Sequence, residues 1–281
     1  MDSVFTRDVK SWSHETYENI PGLLWILIPA IISLLVFNIG NTIKKSVVFI
    51  PNSFNLYHLY ASQFVHFDFQ HLSSCLLIYV IFVLAAYMIF ARSHHKPMFW
   101  KSYAVFLLLA PLIGSLSWVL ASQVYSPLGN LQIYGFSTIT SAAIGLFGFS
   151  IILYLKSLNA EKNSAFLAIF TFGVAFVPAI YGQLLPSALL FLLCILSFIF
   201  STQNSVLEKR HLTIILVWLI LYQIGVQTMF PPEIFYDKFA INIPSHYAGF
   251  STGLILPMFF LKSKPEPKPE PELTPDSKNL L

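Results

Sequence analysis

The chain has 281 residues, 56% of them hydrophobic and only 10% charged, with a formal net charge of +3 and a mean hydropathy of +0.69. A soluble domain carries about 25% charged residues, so this composition excludes one and points to an all-α, polytopic membrane helical bundle. No basic patch with interleaved aromatics suggests a nucleic-acid partner, and both cysteines, Cys75 and Cys194, fall in apolar runs that suggest buried small groups instead of a disulfide framework.

In chain order, residues 1–20 form a mostly polar cytoplasmic segment. No short apolar run with a small-residue cleavage site follows it, so a cleavable signal is not expected. Phe5, Val9 and Trp12 share a helical face, which suits a helix lying on the membrane surface and a solvated helix equally. Apolar runs then recur at 21–38, 71–90, 103–121, 136–155, 164–182, 186–201, 212–230 and 244–261. Most are long enough at ~1.5 Å per residue to cross a hydrocarbon core of ~30 Å, and the pattern predicts about eight transmembrane helices. The fifth and sixth, joined by "YGQLLPS", read either as two full crossings or as a shallower hairpin. Segment 39–70 contains the aromatic-rich "FNLYHLYASQFVHFDFQ" and is expected to pack on or into the membrane surface. The end of the chain, "KSKPEPKPEPELTPDSKNLL", is too rich in Pro, Glu and Lys to bury a core. The organisation expected is therefore a membrane domain over 21–262 and a disordered cytoplasmic tail over 263–281.

Loop charge sets the expected orientation. With the N-terminus inside, the inner face carries Arg7, Lys10, Arg92, Lys96, Lys101, Lys156, Lys162, Lys209, Arg210, Lys262, Lys264, Lys268 and Lys278. The outer face carries Lys44, Lys45 and Lys238. This asymmetry predicts a multi-pass protein of the cell membrane with both termini cytoplasmic.

No Asp, Glu, Lys or Arg lies within any of the eight runs, but His71 opens the second and His246 lies near the start of the eighth. An ionisable group at membrane depth is costly and is by default a functional candidate. Singly, such a histidine suits an interfacial position as well, a hydroxyl in a membrane helix usually bonds the carbonyl four residues back, and regularly spaced glycines usually serve packing. The charge-derived orientation gives these residues a shared location. His71, Ser137 and His246 each lie in the first turn of a run that goes from outside to inside, so all three belong to one leaflet. Ser137, Ser141 and Gly145 share a face, as do His246, Gly249 and Gly253. Two such stripes let backbones approach closely and would bring His246 to Ser137. A Ser–His pair within hydrogen-bond reach makes an activated nucleophile with a general base. No intramembrane carboxylate is available, so the pair would act as a dyad.

These residues resemble the rhomboid family of intramembrane serine proteases. The family's serine motif, G-x-S-G followed by a small-residue helix, is similar to "GFSTITSAAIG" from Gly135 to Gly145. Its A-H-x-x-G-x-x-x-G helix is similar to "SHYAGFSTG" from Ser245 to Gly253, and its H-x-x-x-x-H-x-x-x-N segment to "HFDFQHLSSC" from His66 to Cys75. The resemblance implies a rhomboid-like core with an extra helix pair between Ser137 and His246. It makes Ser137 the nucleophile, His246 the base, and His71 with the Ser137 N–H the oxyanion donors, each such donor being worth about 3–4 kcal/mol. Three positions depart from the family pattern. Its Asn is Cys75 here, with Ser74 beside it; the Gly after the serine is Thr138; and the aromatic four residues on is Ser141, so Tyr247 becomes a candidate to hold His246. The activity implied is hydrolysis of a peptide bond in or near a transmembrane helix of another protein. The alternative is a catalytically inactive rhomboid-like protein that binds transmembrane clients. A small transporter is disfavoured, because no interrupted span and no intramembrane carboxylate is present. Transmembrane substrates and the bilayer are the expected partners; no metal or cofactor is expected, and the sequence leaves the oligomeric state open.

Overall fold

A computed structural model of the protein describes residues 20–52, 55–124, 134–203, 208–230, 235–236, 239–240 and 242–261. The expectations for residues 1–19 and for the tail lie outside the described residues. The helices are α1 (Ile20–Phe37), α2 (Asn41–Val47), α3 (Leu56–Ala61), α4 (Phe69–Arg92), α5 (Lys96–Val124), α6 (Ser137–Ser157), α7 (Lys162–Ile180), α8 (Leu184–Thr202), α9 (Lys209–Met229) and α10 (Ile243–Ile255). A 3-10 turn, Ser62–Phe64, follows α3, and another, Leu256–Phe260, continues α10. Two-residue strands β1 (Phe235–Tyr236) and β2 (Phe239–Ala240) pair antiparallel before α10.

Among the described residues six helices, α4 to α9, are long and apolar enough to cross a membrane, and the chain is a multi-pass membrane protein. The other two predicted spans coincide with α1, of 18 residues, and with α10, which has 13 residues before the 3-10 turn takes over. Several helices overrun the apolar borders. Predicted at 103–121, α5 spans Lys96–Val124, because Pro97 sits in its first turn, where a missing N–H costs nothing, and Lys96 and Lys101 extend it past the apolar run. The "YGQLLPS" ambiguity resolves into two helices of 19 residues each, α7 and α8, long enough to be full crossings. Gly182, at φ +77°, makes the turn between them. The pair is tied at both ends: Ser187 donates to the Ala175 carbonyl (2.5 Å), and the Glu161 N–H donates to the Ser201 carbonyl (2.9 Å).

Every side chain of α6 from Ser137 to Leu155 is buried. This helix is the axis around which the others pack. Without a hydrophobic force between helices in lipid, close van der Waals fit must hold them together, and glycines supply it. On α10, a Cβ at Gly249 or Gly253 would strike the carbonyl oxygens of Thr138 and Ala142; on α6, one at Gly145 would strike that of Phe250. Tyr222 of α9 lies against Gly148 of α6 and Gly173 of α7, each of whose added Cβ would stand 2.6–2.9 Å from its ring or hydroxyl. Phe82 of α4 packs edge-on against Phe147 of α6 (5.3 Å between centroids).

Segment 39–70 packs on the bundle. Ser115 of α5 donates to the Leu59 carbonyl (2.9 Å), and Tyr60 donates to the Leu107 carbonyl (3.2 Å). The Lys44 ammonium is buried, donating to the carbonyls of Phe37 (3.1 Å) and His66 (3.2 Å) and standing over the Phe37 and Phe67 rings. A buried cation is tolerated when it is paired in this way. It ties the segment leading into α4 to the end of α1.

Candidate active site

The entry to α6 is built by residues far away in sequence. The Gly135 N–H donates to the Ser62 carbonyl (3.0 Å), and the Phe136 N–H donates to Nε2 of His66 (3.0 Å). Gly135 itself sits at φ +113°, a conformation that side chains rarely adopt, and a Cβ there would lie 3.3 Å from His71 Nε2. The chain therefore turns sharply, and Ser137 becomes the first residue of α6. Phe136, at the N-cap, provides no side-chain cap. The first-turn N–H groups, that of Ser137 included, face the mouth of the helix at its positive end.

Ser137 and His246 meet there. The Ser137 Oγ and His246 Nε2 are 2.9 Å apart, and His246 Nδ1 is 2.7 Å from the carbonyl oxygen of Met229. A carbonyl only accepts, so Nδ1 carries the proton and Nε2 is left to accept from the serine hydroxyl. The tautomer required of a general base is thus set by a backbone oxygen, in the place a carboxylate would otherwise take. Met229 is available because it ends α9, where carbonyls lack intrahelical partners. The ring beside His246 is Phe230, edge-on at 6.5 Å between centroids, and Phe230 in turn packs on Tyr247 at 4.4 Å. Phe230 thus stands against the imidazole, and Tyr247, the ring expected there from the sequence, lies behind it.

The remaining candidates divide. His71, on the first turn of α4, has its ring 5.5 Å from that of His66 and its Nε2 3.9 Å from Cys75 Sγ. Its amide is held by Asp68, the cap of α4, at 2.6 Å. Ser74, one position from Cys75, donates to the Gln70 carbonyl on its own helix (2.7 Å) and stands exposed, so the structure does not bring it into this cluster. Ser141 donates to the Ser137 carbonyl (2.8 Å). The α6 residues met by the glycines of α10 are Thr138 and Ala142, beside the Ser137–Ser141 face. Thr138 fits after the serine because Gly114 of α5 and Gly249 of α10 leave room for its methyl and backbone.

Met229, Phe230 and His66 as a backbone acceptor were not read from the sequence. Pro231 and Pro232, which cannot continue a helix, are the only local sign that the chain frees a carbonyl at Met229.

Two expectations attach to the helix entry. Gly135→Ala combines a strained φ with a methyl against His71, a cost of about 1–3 kcal/mol. A lowered thermal midpoint in detergent is the readout, and an unchanged one would refute it. The second concerns His66, whose imidazole is held down to about 3, chiefly by burial and then by the neighbouring His71. The folded chain keeps this ring neutral while the unfolded chain protonates below about pH 6.5. The unfolded state then binds more protons, so stability falls with pH from about 6.5 downward, by at most roughly 4–5 kcal/mol near pH 3. His66→Gln keeps an acceptor for the Phe136 N–H but does not titrate. The acid limb of the unfolding curve should flatten in that variant; an identical limb would assign acid lability to another group.

Comparisons with family models, curated proteins and solved structures return no match to this chain.

Proposed function

We propose that the protein is a rhomboid-like intramembrane serine endopeptidase. In this reading α1 and α10 also cross the cell membrane, giving eight spans with both ends cytoplasmic, and Ser137 opens towards the outer face. The observation that carries the proposal is the relay from Ser137 Oγ to His246 Nε2 and from Nδ1 to the Met229 carbonyl. It supplies a nucleophile, a base in the correct tautomer, and an orienting partner.

Ser137 Oγ attacks the scissile carbonyl carbon of a transmembrane substrate and passes its proton to His246 Nε2. The Met229 carbonyl then holds the imidazolium through Nδ1–H. The Ser137 N–H, at the uncapped start of α6, and His71 receive the oxyanion. Collapse breaks the C–N bond, and His246 gives its proton to the leaving amine. Water, deprotonated by the same imidazole, releases the acyl group. A neutral carbonyl stabilises the imidazolium less than a carboxylate would, so modest turnover is expected. The extra pair α7–α8 adds two crossings and preserves the direction of α10.

A fluorophosphonate probe tests this without knowledge of the substrate. Purified protein in detergent should be labelled, and His246→Ala should lose the label. No labelling of protein shown to be folded would sink the protease reading in favour of a client-binding, non-catalytic protein.

A further inference from the structure

Beside the Ser–His relay lies a cluster that the relay does not use. His66, His71 and Cys75 each offer one ligand atom, and these atoms all lie within 4.8 Å of one another. His71 and Cys75 are four residues apart on one face of α4, with Nε2 and Sγ 3.9 Å apart. His66 reaches the same point from the preceding loop, where the bond from Lys44 to its carbonyl holds the backbone.

We infer that His66, His71 and Cys75 form a binding site for Zn2+, and that its occupancy shuts the Ser137 centre. Two imidazoles and a thiolate are the donor set that suits this ion. Tetrahedral bonds of about 2.0–2.1 Å to nitrogen and 2.3 Å to sulfur put neighbouring ligand atoms roughly 3.4–3.6 Å apart. The cluster, with its ligand atoms up to 4.8 Å apart, therefore has to contract by up to about 1.4 Å on binding. Cys75 is buried, whereas His71 is exposed and gives the ion its way in. On binding, the Cys75 S–H bond breaks as the S–Zn bond forms, and the proton leaves to solvent; both imidazoles bind as neutral donors. Three protein ligands leave a fourth position for water.

The binding stands on the cluster alone; its effect on Ser137 rests on the protease reading above. His71 Nε2 stands 3.3 Å from where a Cβ on Gly135 would be, two residues before the nucleophile. A metal-bound nitrogen has no hydrogen to donate, so ligation removes His71 from the oxyanion site. Ligation through His66 Nε2 would also take away the acceptor of the Phe136 N–H.

The test uses full-length protein in detergent with Co2+ as the spectroscopic probe. Wild type should show sulfur-to-cobalt charge transfer in the near ultraviolet, displaced by Zn2+. Cys75→Ser should lose the band and His71→Gln should weaken binding, while Cys194→Ser should keep both. A band that survives Cys75→Ser, or no band in folded wild type, overturns the site. In parallel, Zn2+ should suppress fluorophosphonate labelling of wild type, with recovery on chelation, and should leave whatever labelling Cys75→Ser retains unchanged. Labelling that persists in wild type with the cobalt or zinc bound overturns the inhibitory role. A cobalt band without any labelling in metal-free protein would uphold the site and instead fail the protease reading.

Discussion

On the protease reading, Ser137→Ala will abolish cleavage of any transmembrane substrate and all fluorophosphonate labelling, with the fold intact. Removing the hydroxyl leaves His246 with nothing to activate, while its Nδ1 bond to Met229 and the burial of the ring are unaffected. In a residue pair that acts as a unit, loss of either member costs nearly the whole chemical rate, about 10^4-fold or more. The double variant with His246→Ala should therefore be no worse than either single one. Binding of substrate should survive, because the hydroxyl contributes to the transition state and little to the ground state. Appreciable turnover by Ser137→Ala, measured against a catalytically dead background, would remove Ser137 from the mechanism. Cleavage that persists in His246→Ala alone would keep the serine and discard the relay.

Gly253→Val should be the most damaging substitution outside the relay. Its Cβ would collide with the Ala142 carbonyl, which is backbone and cannot rotate away. The only relief is separation of α10 from α6, and the two helices carry His246 and Ser137. Overpacking of this kind costs about 1–3 kcal/mol when side chains give way, and the rigid neighbour here puts the cost at the upper end. A fall in thermal midpoint of about 5 °C or more is expected, together with loss of labelling even in the fraction that remains folded. Gly40→Val is the control, since nothing lies within 4 Å of a Cβ there. Equal midpoints and equal labelling for the two variants would show that close approach of α6 and α10 does not govern the site.

What the sequence made legible was of two kinds. Apolar runs located the helices, because a membrane span must satisfy its backbone internally and shows this as length and hydropathy. Ser137 and His246 were legible because hydroxyl, imidazole and glycine were placed where an oily span has no need of them. Long-range backbone geometry was not legible. The Met229 carbonyl holds His246 only because α9 stops at that residue, and no side chain announces a free carbonyl. His66 appeared as one of two motif histidines; its task of receiving the Phe136 N–H depends on how the loop before α4 is pinned by Lys44. Phe230 lies against His246 although it stands at the end of α9, a contact that no local spacing marks. Thr138 read as a departure from the family pattern, and what accommodates it is Gly114 on a third helix.

The enclosure of α6 carries a consequence for how the molecule comes into being. The base lies 109 residues after the nucleophile, and α6 is sheathed in part by α9 and α10, which leave the ribosome later. Until they arrive, the helix that bears Ser137 meets lipid through its hydroxyls and glycines, a poor match that favours rapid capture by incoming neighbours. On the protease reading, hydrolytic capacity is postponed to the final act of assembly: a nascent chain halted before α10 holds Ser137 without His246 and would be harmless to the membrane proteins being inserted around it.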